Sequence, residues 1–245
     1  LDTVAPDLVV NATAYTAVDR AESEPERAML LNAEVPRVIG RWAAANDALV
    51  VHYSTDYVFD GRKDRPYIES DSPNPLNAYG RSKLAGDEAL LGSGCSALIL
   101  RVSWVYSLRG NNFLLTMRRL MQERPALRIV ADQFGAPTWA RSIAQATSLA
   151  LARSGNAKKE MRSRCGLYHL APAGETSWHG FASAIARLTG ATCAIDPIPS
   201  SDYPTAAARP ANSRLDASAF QKAFGLRLPD WESDLRLCLA QREEI

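Results

Sequence analysis

The chain has 245 residues, and its 28 Lys and Arg against 27 Asp and Glu leave a formal net charge of +1. Near-balance argues against a nucleic-acid binder relying on bulk positive charge. With 47% apolar and 22% charged residues the chain is of ordinary globular composition rather than disordered, and no apolar run reaches the ~18 residues of a membrane span. In chain order, residues 7–11 (D-L-V-V-N) read as a short buried strand. Residues 21–46 carry helical apolar spacing, with Pro25 in a first turn and Pro36 at a kink or break. Residues 48–54 (A-L-V-V-H-Y-S) form a second buried strand, 56–77 a loop rich in Asp, Pro, Gly and Ser, 78–91 a helix, and 96–102 a third strand. Strands separated by helices, with apolar runs buried on both faces, imply a parallel sheet in an α/β domain.

Beyond Trp104 the rhythm loosens. Helices are expected at 112–122 and 141–153, a strand at 127–130, and a solvated basic loop at 155–164. Segments 168–171, 178–188 and 194–198 suggest a smaller mixed region. The four prolines between 197 and 210 enforce irregular chain, and 216–224 and 230–241 read as closing helices. Cys95, Cys165, Cys193 and Cys238 are widely spaced without a C-x-x-C pair, so reduced thiols in a cytoplasmic protein are expected and no metal site is. His52 lies within an apolar run and reads as a hydrogen-bonded core residue.

The chemistry concentrates at the carboxyl ends of the second and third strands, where open α/β sheets place their ligands. The second strand runs into Ser54-Thr55-Asp56-Tyr57, and further on Tyr79 and Lys83 open a helix. Tyr and Lys four apart share one helix face. An ammonium near a phenol lowers a pKa that is ordinarily about 10, which suits the phenol to exchange a proton with a carbonyl oxygen. Thr55 is placed to hold the same oxygen. Tyr-x-x-x-Lys alone is a weak signal; the preceding strand and Thr55 supply its context.

Six blocks extend the pattern: N-A-T-A-Y-T-A-V-D-R-A-E at 11–22, Y-S-T-D-Y-V-F-D-G at 53–61, N-A-Y-G-R-S-K-L-A-G-D-E at 77–88, L-R-V-S-W-V-Y at 100–106, D-Q-F-G-A-P-T at 132–138 and R-P-A-N-S-R-L-D at 209–216. On these the chain resembles the dTDP-4-dehydrorhamnose reductases of the extended short-chain dehydrogenase/reductase superfamily, nearly end to end. The resemblance implies a Rossmann-like doubly wound parallel sheet with a smaller mixed α/β substrate domain. The nucleotide-binding part would hold residues 1–104 and about 135–160, and the substrate part about 105–134 and 161–245.

It further implies reduction of the C4 carbonyl of dTDP-4-dehydro-6-deoxy-L-mannose to dTDP-L-rhamnose with NADPH or NADH. Thr55, Tyr79 and Lys83 would be catalytic, Tyr79 donating the proton, Lys83 lowering its pKa and binding the nicotinamide ribose. Asn11, Ala12, Ala14 and Tyr15 would join Tyr79 and Lys83 in lining the cofactor cleft. Val18, Asp56, Tyr57 and Trp104 would face the sugar, and Asn112 and Arg209 the diphosphate. Related nucleotide-sugar 4,6-dehydratases carry Thr-Asp-Glu where this chain has Thr55-Asp56-Tyr57, so elimination is disfavoured. Another nucleotide-sugar reductase or epimerase, or a non-catalytic regulatory protein of the same fold, remains the alternative. The expected partner is the sugar nucleotide, not nucleic acid or membrane, with room for a homodimer.

A Rossmann domain opens with a Gly-rich turn, and no G-x-x-G-x-x-G precedes Asn11. A βαβ unit takes ~30 or more residues, so an absent opening of roughly 40 to 55 residues is expected, with an inactive 245-residue form as a further alternative.

Overall fold

The computed structural model describes residues 1–153 and 158–241. Its main sheet is four-stranded and parallel, in the order β1-β2-β3-β8, with β1 Leu8–Asn11, β2 Leu49–Thr55, β3 Ser96–Val102 and β8 Gly166–His169. Alternation across the pleat sorts the strand side chains to two faces. Val50, Ala97 and Ile99 pack with Ala43 and Leu90 on one face. Val51, Leu98 and Leu100 pack with Ile143, Ala146, Phe220 and Phe224 on the other. The first cover is α3 (Val35–Ala45) and α4 (Ala78–Leu91); the second is α6 (Ala140–Arg153) and α9 (Ser218–Phe224). Burial on both faces explains why β2 and β3 read as continuous apolar runs.

Between β1 and α3 the chain makes α1 (Val18–Ser23), α2 (Pro25–Met29) and a π-helical turn, Leu30–Glu34. Pro25 takes the first position of α2, where its missing N–H costs nothing. The π turn lies where Pro36 was expected to kink the helix. Pro36 has no N–H for the carbonyl of Asn32, and that carbonyl points at Gly86 of α4, where a Cβ would lie 2.0 Å away. The inward Asn32 side chain accepts from Tyr15 N (2.8 Å) and donates to Tyr15 O (3.0 Å) and Ser82 Oγ (2.9 Å).

The smaller unit pairs β5 (Ala126–Val130) with β10 (Ala194–Ile198) in parallel. Against them pack α5 (Phe113–Glu123) and α8 (Trp178–Thr189), with α10 (Trp231–Ala240) against α8, around Phe181, Ile185, Leu114 and Leu235. Short pairs complete the sheets: β4 (Val105–Tyr106) with β7 (Thr138–Trp139), and β6 (Phe134–Gly135) with β9 (Thr176–Ser177).

Three sequence expectations change. β1 is a sheet edge rather than a buried strand, with Leu8 and Val10 exposed, because among the described residues β2 is its one strand neighbour. The expected loop at 155–164 contains α7 (Lys158–Ser163), whose Met161 is buried in the core beneath the sheet; residues 155–157 lie outside the described residues. Segment 168–171, assigned to the smaller unit, instead begins inside β8, hydrogen-bonded to β3 from Leu98↔Gly166 to Arg101↔His169. The aromatic pair Phe220 and Phe224 packs edge-on against Tyr168 and holds that strand from outside.

Candidate active site

The carboxyl end of β2 turns sharply into a 3-10 turn, Asp56–Val58, and Thr55 makes that turn. Its Oγ1 accepts from Tyr57 N at 3.2 Å and donates to Asp56 Oδ1 at 2.9 Å. Burial pushes the Asp56 carboxyl up to about 6, with the nearby hydroxyls of Ser213 and Thr55 opposing. Helix α4 enters beside this turn. Asn77 caps it, Oδ1 accepting from Gly80 N at 2.7 Å, while Glu22 Oε1 accepts from Ala78 N at 2.7 Å. Gly80 permits the close approach, since a Cβ there would lie 2.2 Å from Tyr57 O. The glycine inside A-Y-G-R-S-K therefore lets the helix carrying Tyr79 and Lys83 touch the turn carrying Thr55, Asp56 and Tyr57.

The Tyr79 ring meets Tyr57 edge-on at 5.8 Å and 76°. Burial pushes the Tyr79 phenol up to about 12; the nearby Thr55 hydroxyl opposes this, while Asp56 and Asp87 add to it. Burial raises the Tyr57 phenol too. Lys83 is almost wholly buried. Its Nζ donates to Tyr53 O at 2.5 Å and lies 3.3 Å from His52 Nε2. Desolvation lowers its ammonium to about 8, Asp87 opposing. The expected lowering of the Tyr79 phenol by Lys83 is thus not what the structure shows: the amine is turned to Tyr53 and His52, and desolvation of the phenol dominates.

Asn11, at the end of β1, is buried and joined to His52, whose Nδ1 lies 3.1 Å from Asn11 Nδ2. Ala12 and Ala14 follow, exposed and bearing only methyl groups. Tyr15 is buried, its hydroxyl donating to Glu24 Oε2 at 2.8 Å, and Val18 opens α1, half-buried.

A dinucleotide laid along this edge would meet small side chains at Ala12 and Ala14, then Lys83 and Tyr79. Of this edge Ala12 and Ala14 are exposed, while Lys83 is buried with its amine on Tyr53 O and beside His52.

The remaining candidates are placed less simply. Trp104 stands at φ 46° after β3, its ring stacked on Trp178 at 3.6 Å and 8°. Phe113 leans on the far partner at 4.7 Å. Gly135 makes room for it, since a Cβ there would lie 2.6 Å from the indole. Arg209 is held by Asp19, Nη2 to Oδ2 at 2.7 Å and Nη1 to Oδ1 at 3.1 Å. Asn112 is engaged as a helix cap: Oδ1 accepts from Leu115 N at 3.2 Å, and Nδ2 donates to Ser107 O and Arg109 O. Its amide is thus used within its own turn rather than turned toward a diphosphate.

Sequence reasoning overlooked Asp19, Trp178 and the pair Asp87–Arg101, whose Nε–Oδ2 distance is 3.1 Å. Asp19 and Asp87 fall within quoted motif blocks and Arg101 within another, yet nothing in their spacing announces the pairings, which join distant segments.

The sequence profile of the RmlD substrate binding domain family matches residues 1–244. A dTDP-4-dehydrorhamnose reductase of Burkholderia thailandensis is 50% identical over 242 residues, 96% of this chain and 81% of that protein. The enzyme of the same name from Salmonella typhimurium is 48% identical, over 96% of this chain and 80% of its own. A crystal structure of dTDP-4-dehydrorhamnose reductase from Bacillus anthracis in complex with NADP superposes with a TM-score of 0.89 at 33% identity, covering 97% of this chain and 82% of that one. With the profile spanning almost its whole length, this chain belongs to the RmlD substrate binding domain family.

Proposed function

We propose that the chain catalyses NAD(P)H-dependent reduction of the C4 carbonyl of dTDP-4-dehydro-6-deoxy-L-mannose to dTDP-L-rhamnose, with Tyr79 as proton donor. The observation that carries this reading is Tyr79 at the opening of α4, its ring against Tyr57 in the turn that Thr55 makes at the carboxyl end of β2, with Lys83 one helical turn on. Relatives named dTDP-4-dehydrorhamnose reductase share 43–50% identity over almost the whole chain. When bound, the reduced nicotinamide supplies a hydride. Tyr79 keeps its proton at neutral pH, because burial holds its pKa near about 12, and a carbonyl oxygen becoming an alkoxide is basic enough to take it. Thr55 orients that oxygen. Lys83 and Asn11, with the ledge of Ala12 and Ala14, would hold the ribose and nicotinamide; Val18, Asp56, Tyr57 and Trp104 would face the sugar. Arg209 would receive the diphosphate by exchanging Asp19 for phosphate oxygens, a geometry guanidinium favours.

The same proposal divides the chain as its resemblance implies, with the Rossmann part at 1–104 and about 135–160 and the sugar-nucleotide part in the remainder, save that β8 and α9 serve the main sheet. Four free cysteines suit a reducing cytoplasm, and among the described residues no helix is long and apolar enough to cross a membrane. A homodimer belongs to the proposal as well, decided by light scattering.

The test is loss of reduced-nicotinamide absorbance when the full-length protein meets the dTDP-4-keto sugar. Tyr79→Phe is expected to lower kcat by about 10²–10⁴ while the protein stays folded. A variant within about tenfold of the parent would refute Tyr79 as the donor.

A further inference from the structure

A chain of polar groups, buried from Asn11 inward, runs behind the site from the exposed Thr13, and its hydrogen positions can be deduced from heavy atoms alone. Thr13 N and Thr13 Oγ1 both approach one oxygen of Asn11, at 3.2 and 2.7 Å. A backbone N–H only donates, so that atom of Asn11 is its carbonyl oxygen, and the amide cannot be reversed. Its NH₂ therefore faces His52 Nδ1 at 3.1 Å, and Nδ1 must accept. A neutral imidazole that accepts at Nδ1 carries its proton on Nε2. That proton points at Lys83 Nζ, 3.3 Å away. A neutral amine offers a lone pair to it; an ammonium, which is all donor, offers none.

We infer that His52, locked as the Nε2–H tautomer by Thr13 and Asn11, is a positioning residue that weakens Lys83's hold on its proton. The other groups around Nζ are few. Tyr53 O accepts from it, Asp87 on α4 draws positive charge toward it, and Asp87 is itself held by Arg101 of β3. Burial keeps His52 neutral, its pKa lying well below the ordinary value, and leaves the ring no water to turn to. The bearing of this on catalysis rests on the reductase reading, but the tautomer does not depend on substrate or cofactor, so the two can fail separately.

The experiment is a long-range ¹⁵N–¹H spectrum of the full chain labelled at histidine, with ¹⁵Nζ titration of Lys83. His52 is expected as the neutral Nε2–H form. His169 supplies an internal contrast: its Nδ1 lies 3.0 Å from Tyr67 O, a pure acceptor, so it is expected as Nδ1–H. Asn11→Asp replaces the donor at Nδ1 by an acceptor, while its carboxylate still serves Thr13. It is expected to switch His52 to Nδ1–H, make Nε2 an acceptor for the ammonium, and raise the Lys83 proton affinity at least about tenfold, a difference of about 1.4 kcal/mol. An Nδ1–H or doubly protonated His52 in the parent overturns the proposal without any variant. So does a Lys83 midpoint that rises in Asn11→Asp while His52 stays Nε2–H, since charge alone would then be acting. A tautomer switch that leaves the midpoint where it was overturns it equally.

Discussion

Removing the Arg101 guanidinium should expose how much the site depends on one buried charge. Arg101 Nε meets Asp87 Oδ2 at 3.1 Å, with side chains only 4% and 1% exposed, and the guanidinium also lies 5.2 Å over the Phe59 ring. Arg101→Met keeps much of the aliphatic stem and leaves Asp87 as an uncompensated carboxylate. Breaking such a pair from one side costs about 3–5 kcal/mol. Burial already raises the Asp87 carboxyl above its usual range, with Arg101 the strongest opposing influence. Without Arg101 the rise grows. An acid whose folded pKa is raised loses stability as pH climbs, because the unfolded chain releases the proton more readily. The penalty should therefore be larger at pH about 8 than at about 5. Urea denaturation at both pH values measures it, and the midpoint of thermal unfolding should fall by roughly 6–20 °C. The double variant Asp87→Leu/Arg101→Met should regain part of the loss, since it leaves no carboxylate without its guanidinium, while Lys83 loses the pull of Asp87. A single-variant loss under about 1 kcal/mol, or one equal at both pH values, would refute the account of this pair as a closed, dry ion pair.

Three other outcomes follow from the geometry. Gly80→Ala puts a methyl 2.2 Å from Tyr57 O, so α4 must back away from the turn; stability should drop by about 1–3 kcal/mol and reductase activity with it, and a variant matching the parent in melt and turnover would contradict the close approach. Burial lowers His169 to about 4, with Arg101 adding to the shift; the folded pKa is depressed, so stability is complete above about 6.5 and is lost as pH falls from there toward about 4. Relative to His169→Gln, the parent should lose about 3 kcal/mol across that window, and parallel urea curves for the two proteins would argue against it. Asp19→Asn releases one charge from Arg209 in a pair that is 46% exposed on the Asp19 side; it should change stability by less than about 1 kcal/mol, while KM for the sugar nucleotide falls if Asp19 competes with phosphate for Arg209. An unchanged KM would leave Arg209 outside the substrate's reach.

Much of this protein could be read from local chemistry. Continuous apolar runs in β2 and β3 and the Asn77 cap of α4 are decided within a few residues, so α4 and β3 appear where the sequence puts them. The grouping of Thr55, Tyr79 and Lys83 was legible for the same reason: a strand end and the opening of the next helix in an α/β unit must meet. What local chemistry could not supply is which distant groups share the dry interior. The upward shift of Tyr79, the Asn11–His52–Lys83 chain, the Asp19 clasp on Arg209 and the stacking of Trp104 on Trp178 each join segments far apart in sequence. Nor could spacing reveal that Asn112 is consumed as a cap, or that β8 joins the main sheet. Sequence by itself determined the elements and which candidate side chains meet at one strand end, because turns, caps and apolar periodicity act over a few residues; the tertiary structure decided the partners of those side chains and the direction in which their acidities move, because desolvation and hydrogen bonding depend on everything packed within a few ångströms, wherever it lies along the chain.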